Sequence, residues 1–212
     1  MKITENDLIF LRSELQKHIS GKRLAHSLAV EDEAMALGKL FGFSEEILLK
    51  LRCAAILHDI TKAKNTEEQI RLCKEFGLPV SDDDIMSPKV FHSLTGAHVA
   101  AKLYPQYVDS EIFNAIKYHT TGRADMSVFE KLIYLADYIE KTRDFPDCVE
   151  LRRYFYSAEP TKEHLDRTLL LSFDMTVRNL LDEGCAIHKA TVEARNFLVA
   201  SINKLNQGTK QC

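Results

Sequence analysis

At its centre the sequence reads Cys53-Ala54-Ala55-Ile56-Leu57-His58-Asp59-Ile60-Thr61-Lys62, in which five residues of apolar character lead into a histidine, an aspartate and a lysine. A buried element therefore brings an imidazole, a carboxylate and a cation to one place, and this combination suits a metal ion and a phosphate. Successive residues of a helix point about 100° apart, so His58 and Asp59 reach one metal only if further ligands arrive from other segments.

The sequence around this stretch predicts helices and no strands. Eight glycines and five prolines in 212 residues leave long periodic segments, and the alternating pattern of strands is missing. A first helix is predicted to run to about Ser20 and to end at Gly21, and a second helix has His26 at the head of its apolar stripe. Ser44 is predicted to cap a third helix that points His58 into the core.

The segments that follow continue the helical pattern. Thr66 and Gln69 predict a capping box at the start of a short helix. Gly96, in a later helix, would let a neighbouring segment approach the backbone closely. Three residues are predicted to lie on or beside the inner faces of the later helices: His92, His119 and Asp137. The chain is therefore predicted to be all-α.

Composition narrows the classes of protein that fit. The net charge is −3 and the basic residues are scattered, which argues against a nucleic-acid-binding surface. The five cysteines are widely spaced without a CxxC pair, so neither a disulfide framework nor a thiolate zinc site is indicated. No apolar run approaches the roughly 18 residues of a membrane span. These features predict a cytoplasmic protein.

Four histidines and two aspartates share the apolar helical faces: His26, His58, His92, His119, Asp59 and Asp137. For any one of these histidines alone, a hydrogen-bonded core residue is the simpler interpretation, since histidine is often partly buried. Burying all six side chains without a cation would cost several kcal/mol for each unpaired charge, and shared cations remove that cost. The set therefore predicts a metal site.

The ligand chemistry predicts two ions. A set of nitrogen and oxygen donors favours first-row metals such as Fe or Mn, with Zn, Co or Ni left open. Six ligands exceed what one catalytic ion needs if it keeps a position for water or substrate. The economical arrangement has His26, His58, Asp59 and Asp137 on the first ion, and the bridging Asp59 with His92 and His119 on the second. Two such ions activate a shared water for attack at phosphorus, so the predicted chemistry is hydrolysis of phosphate esters or anhydrides.

The order of these ligands resembles that of a known family. His26, then His58-Asp59, then Asp137 match the order H…HD…D of the HD-domain metal-dependent phosphohydrolases. One branch, the YqeK family of symmetrical diadenosine tetraphosphate hydrolases, is similar in four blocks: Leu57–Lys62, His92–Ala97, Ala115–Gly122 and Ala136–Arg143. The similarity covers nearly the whole chain. It implies a single-domain HD-type helical bundle with a metal centre in its core.

The resemblance also implies an activity. It implies an iron-dependent enzyme that cleaves diadenosine tetraphosphate at the middle of the phosphate chain into two ADP, and we expect a metal-bridging hydroxide to be the nucleophile. The catalytic residues would be His58, Asp59, Lys62 and Arg143, the last two neutralising charge on the phosphates. The residues implied to contact the substrate are Arg23, Lys62, Lys89, Thr120, Arg143 and His188.

The predicted domain spans residues 1–212, with an HD core at about 22–143 and C-terminal helices at about 147–207 packing on it. The expected partners are a dinucleoside polyphosphate substrate and the product ADP, with neither nucleic acid nor membrane, and a homodimer is left open. Two other functions also stay open. The chain could be another nucleotidase or phosphodiesterase of the HD group, or a non-catalytic nucleotide-binding HD module.

Overall fold

The computed structural model describes residues 2–208, with side chains as far as residue 204, and residues 1 and 209–212 of the predicted domain lie outside it. The described chain contains one 3-10 helix (Pro88–Val90), eleven α-helices and no strand, which confirms the all-α prediction. The α-helices are α1 (Glu5–Leu15), α2 (Gly21–Leu40), α3 (Glu45–Leu57), α4 (Thr66–Glu75), α5 (Asp82–Met86), α6 (Phe91–Leu103), α7 (Ser110–Tyr118), α8 (Val128–Ile139), α9 (Pro146–Tyr156), α10 (Lys162–Asp182) and α11 (Lys189–Gly208).

The first predicted helix boundary is wrong. Helix α1 ends at Leu15 instead of Ser20, and the amide of Ile19 donates to the Leu15 carbonyl at 3.0 Å in the turn that follows. Leu15 and Ile19 are both buried, so the turn after α1 packs against the core. Gly21 has φ 57° and begins α2, so its left-handed backbone redirects the chain into the second helix instead of ending the first.

The capping box of α4 lies one residue earlier than the sequence pattern predicts. Asn65 is the N-cap, and its side chain accepts a hydrogen bond from the Glu68 amide at 3.0 Å. The predicted partner Gln69 cannot serve as a cap because it is buried and donates to the Thr61 carbonyl at 2.8 Å. By contrast, the predicted cap of α3 by Ser44 is confirmed.

The centre of the bundle is formed by α2, which packs along α3 and α8, and by α7, which packs against α3, α6 and α8. Fully buried aliphatic residues fill the space between these helices: Val30, Leu37, Leu51, Leu57, Ile112, Ile116, Leu132 and Ile133. Helices α10 and α11 pack on each other, and α10 reaches the central bundle through Phe173, whose ring centroid lies 4.9 Å from that of Tyr134.

One helix of the bundle was not predicted from the sequence. Helix α9 begins at Pro146 and buries Leu151 and Phe155, and the sequence did not predict it as a separate element.

Within residues 2–208, the cysteines Cys53, Cys73, Cys148 and Cys185 are all free thiols. No helix in the described part of the chain has both the length and the apolar composition that crossing a membrane requires. The division into an HD core and C-terminal helices stays a prediction.

Gly122 follows the end of α7 and packs against Phe173 of α10, so a substitution at this position tests that contact. Its φ is 65°, and a Cβ at this position would lie 2.6 Å from Cζ of Phe173. Gly122→Ala is therefore expected to lower the free energy of unfolding by about 2–4 kcal/mol, because a left-handed backbone penalty and overpacking add together. Denaturant unfolding measures this loss.

Gly42→Ala is the matched control for Gly122→Ala. Gly42 also has a left-handed backbone, with φ 70°, but a Cβ there would meet nothing within 4 Å. Only the backbone penalty of about 1–2 kcal/mol applies to this variant. Equal losses in the two variants would show that the contact with Phe173 does not limit the size of the residue at position 122.

Candidate metal centre

The structure brings together all six side chains that the sequence predicts as ligands. Their possible ligand atoms form three overlapping groups, and within each group these atoms lie within 4.8 Å of one another. The groups are His26, His58 and Asp59; His58, His119 and Asp137; and Asp59, His92 and His119. Segments that are far apart in the chain thus converge on one small volume.

Three of the six residues lie at the C-terminal ends of helices. His58 is the C-cap of α3, His119 is the C-cap of α7, and Asp137 lies in the last turn of α8. Backbone carbonyl groups give the C-terminal end of a helix a partial negative charge, which favours a nearby cation. The convergence of three such ends makes this volume attractive to a metal ion.

Backbone hydrogen bonds orient three of the imidazole rings. The Nδ1 atoms of His58, His92 and His119 lie 2.6, 2.7 and 2.7 Å from the carbonyl oxygens of Ala55, Lys89 and Ile116, each three residues earlier. A carbonyl can only accept, so Nδ1 of each ring donates and Nε2 has a free lone pair. This tautomer directs three Nε2 atoms towards the centre of the cluster as potential metal ligands.

Two buried polar atoms at the centre of the cluster have no hydrogen-bond partner in the described part of the chain. These atoms are Nε2 of His58 and Oδ1 of Asp59. Leaving a buried donor or acceptor unpaired costs about 1–3 kcal/mol. The Nε2 atoms of His92 and His119 also lie only 3.1 Å apart, a distance at which two lone pairs repel each other. A bound cation would remove both costs, so the donor set fits a metal ion.

The two oxygens of Asp59 face different histidines. Oδ2 lies 3.7 Å from Nε2 of His58, whereas Oδ1 lies 3.2 Å from Nε2 of His92 and 3.5 Å from Nε2 of His119. A carboxylate that bridges two ions would have this disposition. Two cations border the cluster: the ammonium of Lys62 lies 2.9 Å from Nε2 of His92, and the guanidinium of Arg143 donates to Asp137 Oδ1 at 2.7 Å.

The surroundings set the protonation of the central groups. Burial lowers the pKa of His58 to about 4, and burial together with the charge of Lys62 lowers the pKa of His92 to about 4. Burial alone would raise the pKa of Asp59, but His58, His119, His92 and Lys62 hold it well below its ordinary value of 3.8. At neutral pH His58 and His92 are therefore neutral imidazoles and Asp59 is a carboxylate, the forms that bind metal ions. Burial would lower the pKa of His26, but Asp137 and Glu140 raise it above its ordinary value.

Glu140 is a residue of the site that the sequence interpretation missed. It is fully buried, and Oε1 lies 3.0 Å from Nδ1 of His26, whose Nε2 lies 2.9 Å from Oδ1 of Asp137. The backbone amide and hydroxyl of Thr142 donate to the same carboxylate. Its position one helical turn after Asp137 was a usable signal, because a histidine that binds metal through one nitrogen needs an acceptor for the other.

A second buried network, also not predicted, holds the turn after α3 against α6. The Thr61 hydroxyl donates to the His92 carbonyl at 2.9 Å and lies 3.0 Å from the Thr95 hydroxyl. Thr95 in turn donates to the side chain of Gln69 on α4. A Cβ at Gly96 would lie 3.4 Å from the His58 carbonyl oxygen, which confirms the close approach predicted there. These contacts fix the position of His92 relative to His58.

Glu140→Gln is expected to weaken metal binding by about 10- to 100-fold, because the carboxylate orients the His26 ring and increases its basicity. The matched control is Glu130→Gln, a buried carboxylate on α8 that pairs with Arg123 instead. Titration of the metal-free proteins with Mn²⁺, followed by calorimetry, measures the affinities. Equal affinities in the two variants would contradict a role for Glu140 in orienting His26.

The predicted substrate contacts fall into two groups. Thr120, Lys62 and Arg143 lie beside the cluster, and the hydroxyl of Thr120 is 3.2 Å from Nε2 of His92. Arg23 lies next to Lys62 and donates a hydrogen bond to its carbonyl oxygen. The side chains of the other two predicted contacts, Lys89 and His188, pair with residues away from the cluster. Lys89 lies 3.9 Å from the carboxylate of Glu183, and His188 lies 3.2 Å from that of Asp84.

Three neighbouring cavities border the cluster at His26, Asp59 and His92, and together they are called the trough. The outer cavity, of about 580 Å³, borders His26 and Asp59. The middle cavity, of about 380 Å³, shares Arg23 and Lys62 with the outer cavity. The apolar cavity, of about 430 Å³, shares Lys89 with the middle cavity. An elongated ligand could therefore lie along the cluster and extend beyond it at both ends.

Comparisons with known proteins agree with the geometry. Residues 23–142 match the HD domain family. The chain is 31% identical over 187 residues to the symmetrical bis(5'-nucleosyl)-tetraphosphatase of Halalkalibacterium halodurans, covering 87% of this chain and 93% of that protein. It is 30% identical over 196 residues to the protein of the same name from Bacillus subtilis, covering 92% and 97%. A crystal structure from Clostridium acetobutylicum, of a predicted HD superfamily hydrolase described as involved in NAD metabolism, has a TM-score of 0.82 to this chain. The two chains are 36% identical, and the match covers 94% of this chain and 99% of that one.

Proposed function

The chain belongs to the HD domain family, and from that premise we propose that it hydrolyses diadenosine tetraphosphate at the middle of the phosphate chain, releasing two molecules of ADP. The observation that carries this proposal is the convergence of four histidines and two aspartates beside the trough. The names of the relatives, which are symmetrical tetraphosphatases, supply the substrate class.

The proposed ligand arrangement is the one expected from the sequence, and two of the three groups of neighbouring ligand atoms support it: His26, His58 and Asp59, and Asp59, His92 and His119. One ion would be held by His26, His58, Asp59 and Asp137, and a second by His92, His119 and the other oxygen of Asp59. Iron is the proposed metal, and Mn, Co, Ni and Zn are the alternatives that the donor set allows. When bound, two divalent ions would supply a hydroxide nucleophile by lowering the pKa of water, and would stabilise charge on the phosphoryl oxygens.

Lys62 and Arg143 would act on the phosphates. In the reaction, the oxygen of water forms a bond to an inner phosphorus, and the bond from that phosphorus to the central bridging oxygen breaks. The departing ADP takes the electron pair, and both protons of the water pass to solvent, so that two ionised ADP molecules are released. Lys62 contacts His92, whereas Arg143 contacts Asp137, so the two cations border different parts of the cluster. Each would therefore neutralise charge on a different part of the phosphate chain.

The apolar cavity would receive one nucleoside. Four of its lining residues are apolar: Met86, Val90, Leu180 and Ala186. Thr120 lies where this cavity meets the cluster, so it would contact the phosphate next to the nucleoside. Lys89 and His188, which also line this cavity, would contact the nucleotide only after turning away from their carboxylate partners.

The test is a panel of substrates with products separated by chromatography. Purified protein loaded with Fe²⁺ or Mn²⁺ is incubated with dinucleoside polyphosphates, NAD, mononucleotides and cyclic nucleotides. We expect diadenosine tetraphosphate to be cleaved in preference to the others, with ADP as the sole product. AMP plus ATP would contradict a central cut, and preferential cleavage of a mononucleotide or cyclic nucleotide would favour another enzyme of the HD group. Binding without cleavage would favour a non-catalytic module.

A further inference from the structure

The two ends of the trough differ in chemistry. The apolar cavity closes one end with aliphatic side chains, whereas the outer cavity at the other end is lined by Lys22, Arg143 and Phe145. Phe145 is 60% exposed. Single exposed apolar residues are common on protein surfaces, but this one shares a cavity with His26 and Asp59 of the cluster.

We propose that Phe145 forms the subsite for the second nucleoside of a dinucleoside polyphosphate, with the base stacked on its ring and the adjoining phosphates beside Lys22 and Arg143. This inference rests on the proposed function, since it concerns the same substrate. A central cut needs the middle of the phosphate chain at the metal ligands, so the two nucleosides must lie on opposite sides of the cluster. The apolar cavity accounts for one nucleoside and leaves the outer cavity for the other.

The backbone holds Phe145 in a fixed position at the mouth of the outer cavity. The guanidinium of Arg152 donates to the carbonyl oxygens of Ile139, Glu140 and Arg143, and so fixes the connection between α8 and α9. Phe145 is the N-cap of α9 with φ −60° and ψ 140°, an extended conformation that the following Pro146 favours. A ring on a rigid connection loses little conformational freedom when it binds a base.

The outer cavity also has the charge that a nucleotide needs. Its lining has more cations (Lys22, Arg23, Lys62 and Arg143) than carboxylates (Asp59, Glu140 and Asp144), and Arg143 is held against Asp137 at 2.7 Å. Proteins that bind single-stranded nucleic acids without strong base preference combine cations for the phosphates with exposed aromatic rings on which bases stack, and the same two interactions would hold a nucleotide here. The cavity therefore fits an end of the substrate in which phosphates lead to a base.

The experiment compares a substrate with two nucleosides to a substrate with one. For Phe145→Ala, the KM for diadenosine tetraphosphate is expected to rise about 10-fold, the lower part of the range for stacking a base on an aromatic side chain. The KM for adenosine tetraphosphate is expected to stay within about twofold, because its single nucleoside would occupy the apolar cavity. Phe145→Tyr keeps the ring and is expected to behave as the unaltered protein does.

Binding of ADP gives a second readout that does not depend on turnover. Calorimetry of the metal-loaded protein is expected to show two ADP molecules per chain, and Phe145→Ala is expected to retain only one. Phe197→Ala is the matched control, because Phe197 is an exposed phenylalanine on α11 that is not among the residues lining the trough.

The outcomes separate the inference from the function on which it rests. If the unaltered protein does not convert diadenosine tetraphosphate to ADP, the proposed function fails. If it does, but Phe145→Ala leaves the KM for this substrate unchanged, the function stands and the Phe145 subsite is wrong. An equal rise in KM for both substrates would also overturn the subsite, because the mononucleotide would then need Phe145 as well.

Discussion

Asp59→Asn is expected to lower kcat/KM for diadenosine tetraphosphate by about 10⁴-fold or more, because this one carboxylate would hold both ions. Its Oδ1 faces His92 and His119, and its Oδ2 faces His58. An amide keeps the shape of the side chain but loses the negative charge and one of the two ligand oxygens. The variant should therefore fold normally and bind little metal at either position.

Elemental analysis and steady-state kinetics of the same preparation test this expectation. The matched control is Asp32→Asn on α2, where the carboxylate is exposed and pairs with Lys141 at 3.3 Å. This control is expected to keep both the metal content and the rate. A metal content in Asp59→Asn equal to that of the unaltered protein would contradict the bridging role, and a retained rate would contradict any catalytic role for Asp59.

His92→Ala is expected to remove one ion and to lower kcat by about 10²- to 10³-fold, because only the second of the two proposed ions would lose a histidine. The first ion would keep His26, His58 and Asp137. The metal content should fall from about two ions per chain to about one. This intermediate state distinguishes a two-ion site from a single ion, for which the loss of His92 would affect all of the bound metal.

His98→Ala is the control for His92→Ala, because the two histidines lie on the same helix but face different neighbours. The ring of His98 packs against Phe76 and Phe113, with centroid distances of 5.4 and 5.0 Å, away from the cluster. We expect His98→Ala to keep two ions and full activity. Full metal content together with a full rate in His92→Ala would refute the two-ion arrangement.

Helix content and the inner faces of the helices were predictable because both depend on local chemistry. A cap such as Ser44 or Ser127 bonds to an amide three residues later, so its signal lies within one helical turn. The errors at α1 and α4 arose where tertiary contacts override the local signal. Ile19 is buried in the core just after α1. The side chain of Gln69 is buried and donates a hydrogen bond to the Thr61 carbonyl, so it does not take part in the cap of α4.

The sequence by itself determined the type of fold and six candidate ligands, because the spacing of apolar residues along a helix shows which side chains point inward. Only the tertiary structure decided how those side chains meet. Glu140 contacts His26 across 114 positions of the chain, and Asp59 turns one oxygen towards α6 and α7. Helical periodicity specifies a direction about one axis, whereas such contacts depend on how separate axes are packed, and that arrangement is set by the core as a whole.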